Sequence, residues 1–145
     1  MKNARRFFLF SFLLVLLLAA ACQRAAQGPT VASPEAEKTT VRGRVMTQGQ
    51  PLVDTTVRLA EVFREGEGQE EGAYVLDGAF SPGAITDGEG YFVMENIEPI
   101  EYVMIVGDVY GIHTVVANSD GKPRVWETQA GEVVDFGVVT ITLGQ

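Results

Sequence analysis

One cysteine, one histidine and only eleven Lys plus Arg, against nineteen Asp plus Glu, are spread over 145 residues. A lone cysteine closes no internal disulfide, and one histidine with one cysteine cannot assemble a Cys/His zinc site, because each needs partners that are missing. A formal charge of −8 gives a phosphate backbone little reason to approach, so nucleic acid is not an expected partner. No window carries a convincing helical period. What is present, 46% hydrophobic residues and sixteen glycines, suits one globular domain and rules out a disordered or collagen-like chain.

The N-terminus reads as an address. Lys2, Arg5 and Arg6 precede an apolar run from Phe7 to Leu18, broken only by Ser11, and three alanines lead to Cys22. That is the layout of an export signal over residues 1–21. Run and alanines together span 15 residues, short of the ~20 a helix needs to cross a hydrocarbon core. The segment Leu18-Ala19-Ala20-Ala21-Cys22 resembles the lipobox of bacterial lipoproteins, with Leu18 one place further from the cysteine than the family has it. The resemblance implies cleavage before Cys22 and acylation of its sulfur, palmitate included, and so a membrane partner held through lipid. Several buried acyl chains at ~0.8 kcal/mol per CH₂ make such an anchor durable. Arg5-Arg6-Phe7-Phe8-Leu9 also resembles the twin-arginine export signal, weighed below the general route because its charged region is short. Gln23 stands where some lipoproteins carry a retaining aspartate, which the resemblance reads as an outer-leaflet or cell-surface location in the bacterial envelope.

Loss of residues 1–21 removes Lys2, Arg5 and Arg6 and no acid, so the charge moves from −8 to −11. Residues 22–38 hold almost no large apolar side chains and read as a flexible tether. From Thr39 to Gln145 β-branched residues dominate and turn signals recur every eight to twelve residues, the pattern of an all-β sandwich. Strands are expected at Val41–Met46, Val57–Val62, Tyr91–Glu95, Glu101–Val106, His113–Asn118, Arg124–Thr128 and Val133–Leu143. The first two are expected to pair as a hairpin across Gln48-Gly49-Gln50-Pro51.

Three stretches carry a resemblance to a second family. Val41-x-Gly43-x-Val45, then Gln50-Pro51-Leu52-x-x-Thr55-x-Val57-x-Leu59, then Ile85-Thr86-Asp87-x-x-Gly90-x-Phe92-x-Met94 look like the carboxypeptidase regulatory-like domain. That resemblance implies a single transthyretin-like, Greek-key β-sandwich of about seven strands over residues 39–145. Within it, Asp87 is expected to cap its turn, Gly90 to take a left-handed conformation and Phe92 to be buried. Two departures stand out: Pro99 is followed by Ile100 and Glu101 where the family has Pro-Gly, and residues 64–83 are an insertion. Its acidic half reads as mobile, and its Tyr74, Leu76 and Phe80 half as folded back on the sandwich.

The inventory for catalysis is thin, so no enzyme, catalytic residue, metal site or cofactor is expected. Asp87, Glu89 and Asp120 are too few for a calcium loop and suit turn capping better. Glu65, Glu67, Glu70 and Glu71 read as a solvated loop. His113 falls in an expected strand with no nucleophile motif nearby, and the transthyretin-like hydrolases use several histidines. An enzyme acting alone would need carboxylates such as Asp87, Asp108 and Asp120 converging in one cleft. Lys38, Lys122, Asn96 and Asn118 are poorly spaced for a Lys-Asn isopeptide bond. Trp126, Tyr74, Tyr91, Tyr102 and Tyr110 are assigned mostly to core packing, with stacking on a sugar or anchoring of a protein as the functional alternative. The expected role is therefore a non-enzymatic, membrane-anchored binding or scaffolding module for an envelope protein or glycan. The alternative is an accessory subunit docked to a membrane-bound enzyme or transporter.

Overall fold

Val, Ile and Thr favour extended backbone because branching at Cβ packs well on a pleated surface, and strands follow these residues along the chain. The computed structural model describes residues 28–64 and 72–144. Among them are ten strands and no helix: β1 (Thr39–Thr47), β2 (Gln50–Pro51), β3 (Thr56–Phe63), β4 (Ala73–Val75), β5 (Gly83–Ile85), β6 (Tyr91–Ile97), β7 (Glu101–Gly107), β8 (His113–Val115), β9 (Val125–Glu127) and β10 (Val133–Ile141). All seven expected strands are present, and the short β2, β4 and β5 join them.

The strands form two sheets. In the four-stranded sheet β1 is central, with β10 parallel to it on one side and β2 and β6 antiparallel on the other. The six-stranded sheet centres on β3 and β7, which pair antiparallel; β4 and β5 flank β3, while β8 and β9 flank β7. Between them lie Val41, Val45, Phe92, Met94, Phe136, Val139 and Ile141 from the first sheet and Val57, Leu59, Tyr102, Met104, Val106 and Trp126 from the second. Phe136 stands at the centre, stacked on Trp126 at 4.8 Å and edge-on to Phe92 at 6.4 Å. This is an all-β sandwich.

The expected first hairpin is corrected. Gln48 and Gly49, with φ of 49° and 77°, make a tight two-residue turn that pairs Thr47 with Gln50, but the return strand β2 is only two residues long. The chain then crosses to the other sheet, so β3 pairs with β7 and not with β1. Val57 and Leu59 still face the core, because the period of two decides which side chains point inward but not which strand they pair beside.

The Asp87 turn forms as expected. Asp87 Oδ1 accepts from the N–H groups of Glu89 and Tyr91 at 2.9 and 2.8 Å, Gly90 has φ of 83°, and Phe92 is buried. At Pro99 the chain turns without glycine: Ile100 N donates to Glu98 O, and Tyr102 Oη donates to the same carbonyl at 2.9 Å. The second half of the insertion folds back by backbone pairing, with Glu61, Val62 and Phe63 opposite Val75, Tyr74 and Ala73. Leu76 is half-buried, but Phe80 is a correction: it is 86% exposed at the tip of a turn that Asp77 caps. Cys22 and the acids Glu65, Glu67, Glu70 and Glu71 lie outside the described residues.

The described part of the expected tether forms no strand, yet it lies along the outer face of the four-stranded sheet. Gly28 sits against the Tyr91 ring, and Pro29 O accepts from Arg42 Nη1. Further along, Glu35 N donates to Asn96 Oδ1 at 3.0 Å and Lys38 pairs with Glu98. From Gly28 to Lys38 the chain thus descends from the level of Arg44 and Tyr91, paired across β1 and β6, to that of Thr39 and Ile97. We call the end holding Lys38 and Glu98 proximal and the end holding Thr47, Gly107 and Ile141 distal.

Candidate functional site

The outer face of the six-stranded sheet is apolar where solvent would ordinarily favour polar side chains. On β7 the alternation fails: Tyr102, Met104 and Val106 face the core, while Val103 and Ile105 on the outer face are as little exposed, at 1% and 4%. Their neighbours across the sheet are Ala60 and Val125 beside Val103, and Arg58 and Val115 beside Ile105. Beyond Ala60 on β3 comes Val62, paired with Tyr74 of β4.

A depression of about 320 Å³ opens over this face at its proximal half. Val62, Val103 and Val125 make its floor, Tyr74 and Pro123 its walls, and Arg64 and Lys122 its charged groups. Tyr74 is 39% exposed and presents its ring. Arg64 is fixed by a two-pronged bond to Glu101, Nε to Oε2 at 2.8 Å and Nη2 to Oε1 at 3.1 Å, which holds its pKa above the ordinary arginine value. Lys122 is placed by a turn that Asp120 caps and that Asn118 and Lys122 close. The arrangement offers an apolar floor, one aromatic face and two cations, a combination suited to binding and lacking an acid/base pair.

A second depression, about 190 Å³, lies on the opposite face among Arg42, Arg44, Tyr91, Asp135 and Val138. Its charged groups already have partners. Arg42 Nε pairs with Asp135 Oδ2 at 3.0 Å, Arg44 Nε donates to Glu89 O at 2.7 Å, and the Arg44 guanidinium lies 5.0 Å from the Tyr91 ring centre. Gly28 and Pro29 form part of its wall, so the N-terminal segment already occupies ground there.

The other sequence candidates separate cleanly. Asp87 and Asp120 each accept from backbone N–H groups of their own turns, as does Asp108, whose Oδ1 takes the Tyr110 N–H at 3.0 Å. Neither depression is lined by any of the three. Among the described residues no group of three or more His, Cys, Asp or Glu comes together to hold a metal ion. His113 opens β8 and is exposed, opposite Gly107. Of the lysines and asparagines, Lys38 meets Glu98 and Asn96 meets Glu35, while Lys122 lines the depression.

The five large aromatics divide. Tyr102 and Trp126 are core residues, Trp126 lying between Phe136 and the Arg124 guanidinium at 4.5 Å. Its buried Nε1 finds no acceptor among the described residues, an omission that costs about 1–3 kcal/mol. Tyr91 is half-buried beneath Arg44, and Tyr74 and Tyr110 are exposed. Sequence reasoning assigned the aromatics as a group and missed Val62, Val103 and Val125. The available signal was the unbroken run Tyr102-Val103-Met104-Ile105-Val106, whose lack of alternation marks a strand covered on both faces.

No family model and no curated protein matches the chain. Among solved structures it is similar to a Pseudomonas aeruginosa protein provisionally described as carbohydrate binding, at 17% identity over 79% of this chain and all of that one, with a TM-score of 0.45. It is also similar to a 9R-lipoxygenase from Cyanothece, at 16% identity over 88% of this chain, with a TM-score of 0.37. The chain spans only 20% of that lipoxygenase. Likenesses this distant carry nothing over to the site.

Proposed function

We propose that the protein is a bacterial envelope lipoprotein, anchored through acylated Cys22, whose sandwich binds a glycan in the depression over Val103 and performs no reaction. The observation that supports this reading most is the pairing of a half-exposed Tyr74 ring with an apolar floor and two cations, on the face the N-terminal segment leaves uncovered. A sugar ring presents C–H groups to an aromatic face, while its hydroxyl or acidic substituents take hydrogen bonds from Lys and Arg. The volume of about 320 Å³ is at the low end for small-ligand sites, matching one or two sugar units rather than a folded partner. The sandwich itself follows the pattern of the carboxypeptidase regulatory-like domain in its Asp87 to Phe92 turn, and that family membership is part of the proposal.

The test is a glycan array probed with the full-length protein, followed by titration of any hit against Tyr74→Ala and Lys122→Ala. We expect each substitution to weaken binding about tenfold or more, the loss of one desolvated aromatic or cationic contact being worth about 1–2 kcal/mol. Binding that survives Tyr74→Ala unchanged, or no glycan above background, counts against the assignment. Co-purification of a stoichiometric membrane enzyme or transporter would favour the accessory-subunit role instead.

A further inference from the structure

We infer that the distal end of the sandwich rests in the lipid interface of the membrane to which the protein is anchored, with Tyr110, Ile112 and Ile85 inserted among the headgroups. The inference rests on the lipid-anchor reading of Cys22 and adds the face that meets the bilayer.

Large apolar side chains are gathered and bare at this end. Tyr110 is 90% exposed, Ile112 70% and Ile85 67%. The topology brings them together. Tyr110 and Ile112 sit in the loop joining β7 to β8, and Ile85 ends β5 opposite Thr56, where β3 begins. Leu143 follows β10, and its neighbour Gly144 lies against Ile112 and donates to Thr114 Oγ1, which ties the two sheets together at this end. The turn carrying Phe80 is adjacent, since a Cβ on Gly78 would stand 2.7 Å from the Tyr110 hydroxyl. Clustered apolar tips on a small domain mark a contact surface, and aromatic and aliphatic residues at loop tips suit the boundary between headgroups and acyl chains.

The occupant follows from where the chain leaves the sandwich. The N-terminal segment runs from Lys38 toward the distal end and reaches Gly28 at the level of Arg44 and Tyr91. From Arg44 to the end of β1 at Thr47 is three residues, about 10 Å of strand. Six residue-to-residue steps lead from Gly28 to Cys22 and span at most about 20 Å. An acyl group on Cys22 therefore reaches the plane of the distal loops using about half of that span. The opposite end lies five strand residues away, about 17 Å, which would take nearly the whole span and a reversal of the direction in which the described segment runs. So short a connection holds the loops at high effective concentration over the bilayer, where even weak insertion is populated. Asp54, Asp87, Glu89 and Asp108 share the distal loops, so an electroneutral bilayer is favoured over an anionic one. With the membrane at this end, the depression around Tyr74 is held away from it.

The experiment places a tryptophan at position 110 or 112 of the full-length acylated protein, with Val75→Trp on β4 as the proximal control; Trp126, buried in the core, supplies a constant background. Each variant is reconstituted into phosphatidylcholine vesicles containing brominated acyl chains, and acylation is checked by intact mass. We expect blue-shifted emission and strong quenching for Tyr110→Trp and Ile112→Trp and neither for Val75→Trp, with quenching reduced when phosphatidylglycerol replaces part of the phosphatidylcholine. Acylated protein that floats with the vesicles yet shows equal quenching at 75 and 110, or none, overturns the inference and leaves the anchor standing. Protein whose mass shows no acyl chain and that fails to float removes the anchor, and the inference falls with it.

Discussion

Gly90 is a position where a single added carbon should do heavy damage. Its φ of 83° places it in the left-handed region, and a Cβ built there stands 2.5 Å from the carbonyl oxygen of Val45, whose own N–H donates to Gly90 O at 2.8 Å. Gly90→Ala therefore incurs two costs. The left-handed conformation is unfavourable for alanine by about 1–2 kcal/mol. In addition the backbone must part from β1, weakening a buried hydrogen bond worth about 1 kcal/mol, with some strain beyond that. The total is about 2–4 kcal/mol. Gly49 is the matched control, since its φ is 77° but nothing lies within 4 Å of a built Cβ, so only the conformational cost applies. For a domain of this size 1 kcal/mol is about 4 °C in Tm, so Gly90→Ala should lower Tm by about 10 °C and Gly49→Ala by about half as much. Thermal and urea unfolding of the two variants beside the parent checks this. Equal losses would refute the claim that close approach of the turn to β1, rather than φ alone, demands glycine.

Two further changes probe hydrogen bonds the fold depends on. Burial pushes the Tyr102 hydroxyl well above the ordinary tyrosine range, with the carboxylates of Glu61 and Glu98 adding to the effect. The folded state thus holds the proton more tightly than the unfolded one, and the resulting stability is present below about pH 10 and lost as pH climbs from there. Tyr102→Phe should cost about 1 kcal/mol at pH 7, through loss of the bond to Glu98 O, and should flatten the decline above pH 10; urea midpoints from pH 7 to 11.5 read both. Asp87→Ala removes the acceptor for two backbone N–H groups and should cost about 1–2 kcal/mol, whereas Asp87→Asn, which keeps an acceptor oxygen, should cost less; chemical unfolding ranks the two.

Most strands were legible because their signals are local. Branched residues, period-two alternation and Asp-Gly turns placed β1, β3, β6, β7 and β10 within a few residues of their observed limits. Pairing was not legible, because it depends on residues far apart in sequence. Val57 and Leu59 announce an inward face, but the same alternation serves a strand beside β1 or one in the facing sheet; Leu52 to Thr55, with Asp54 at φ of 50° and its N–H on Thr86 O, carries the chain across. The site shares this fate. Tyr74 meets Val62, and Val103 meets Val125, only through the registers of β4 and β9, which are three residues each and carry weak patterns. Phe80 misled for the opposite reason: its apolarity predicts burial, while the Asp77 turn that presents it dictates a tip.

The acidic composition also takes on a different meaning once the turns are seen. Asp77, Asp87, Asp108, Asp120 and Asp135 each accept a backbone N–H two residues ahead, so five of the carboxylates fix the chain's changes of direction. An aspartate so placed offers its oxygen to amide dipoles at short range, which satisfies donors that a tight turn leaves without a strand partner. The same oxygens are thereby drawn toward their own backbone, and spacing along the chain holds the turns apart instead of converging them on a common ion. Asp135 shows the arrangement doing two things at once: one oxygen closes the bulge at Gly137 while the other pairs with Arg42 across the sheet. Five of the six aspartates in this chain are thus turn construction. The depression over Val103 is built from the minority groups instead, an exposed Tyr74 ring beside Lys122 and the Arg64 that Glu101 holds in place.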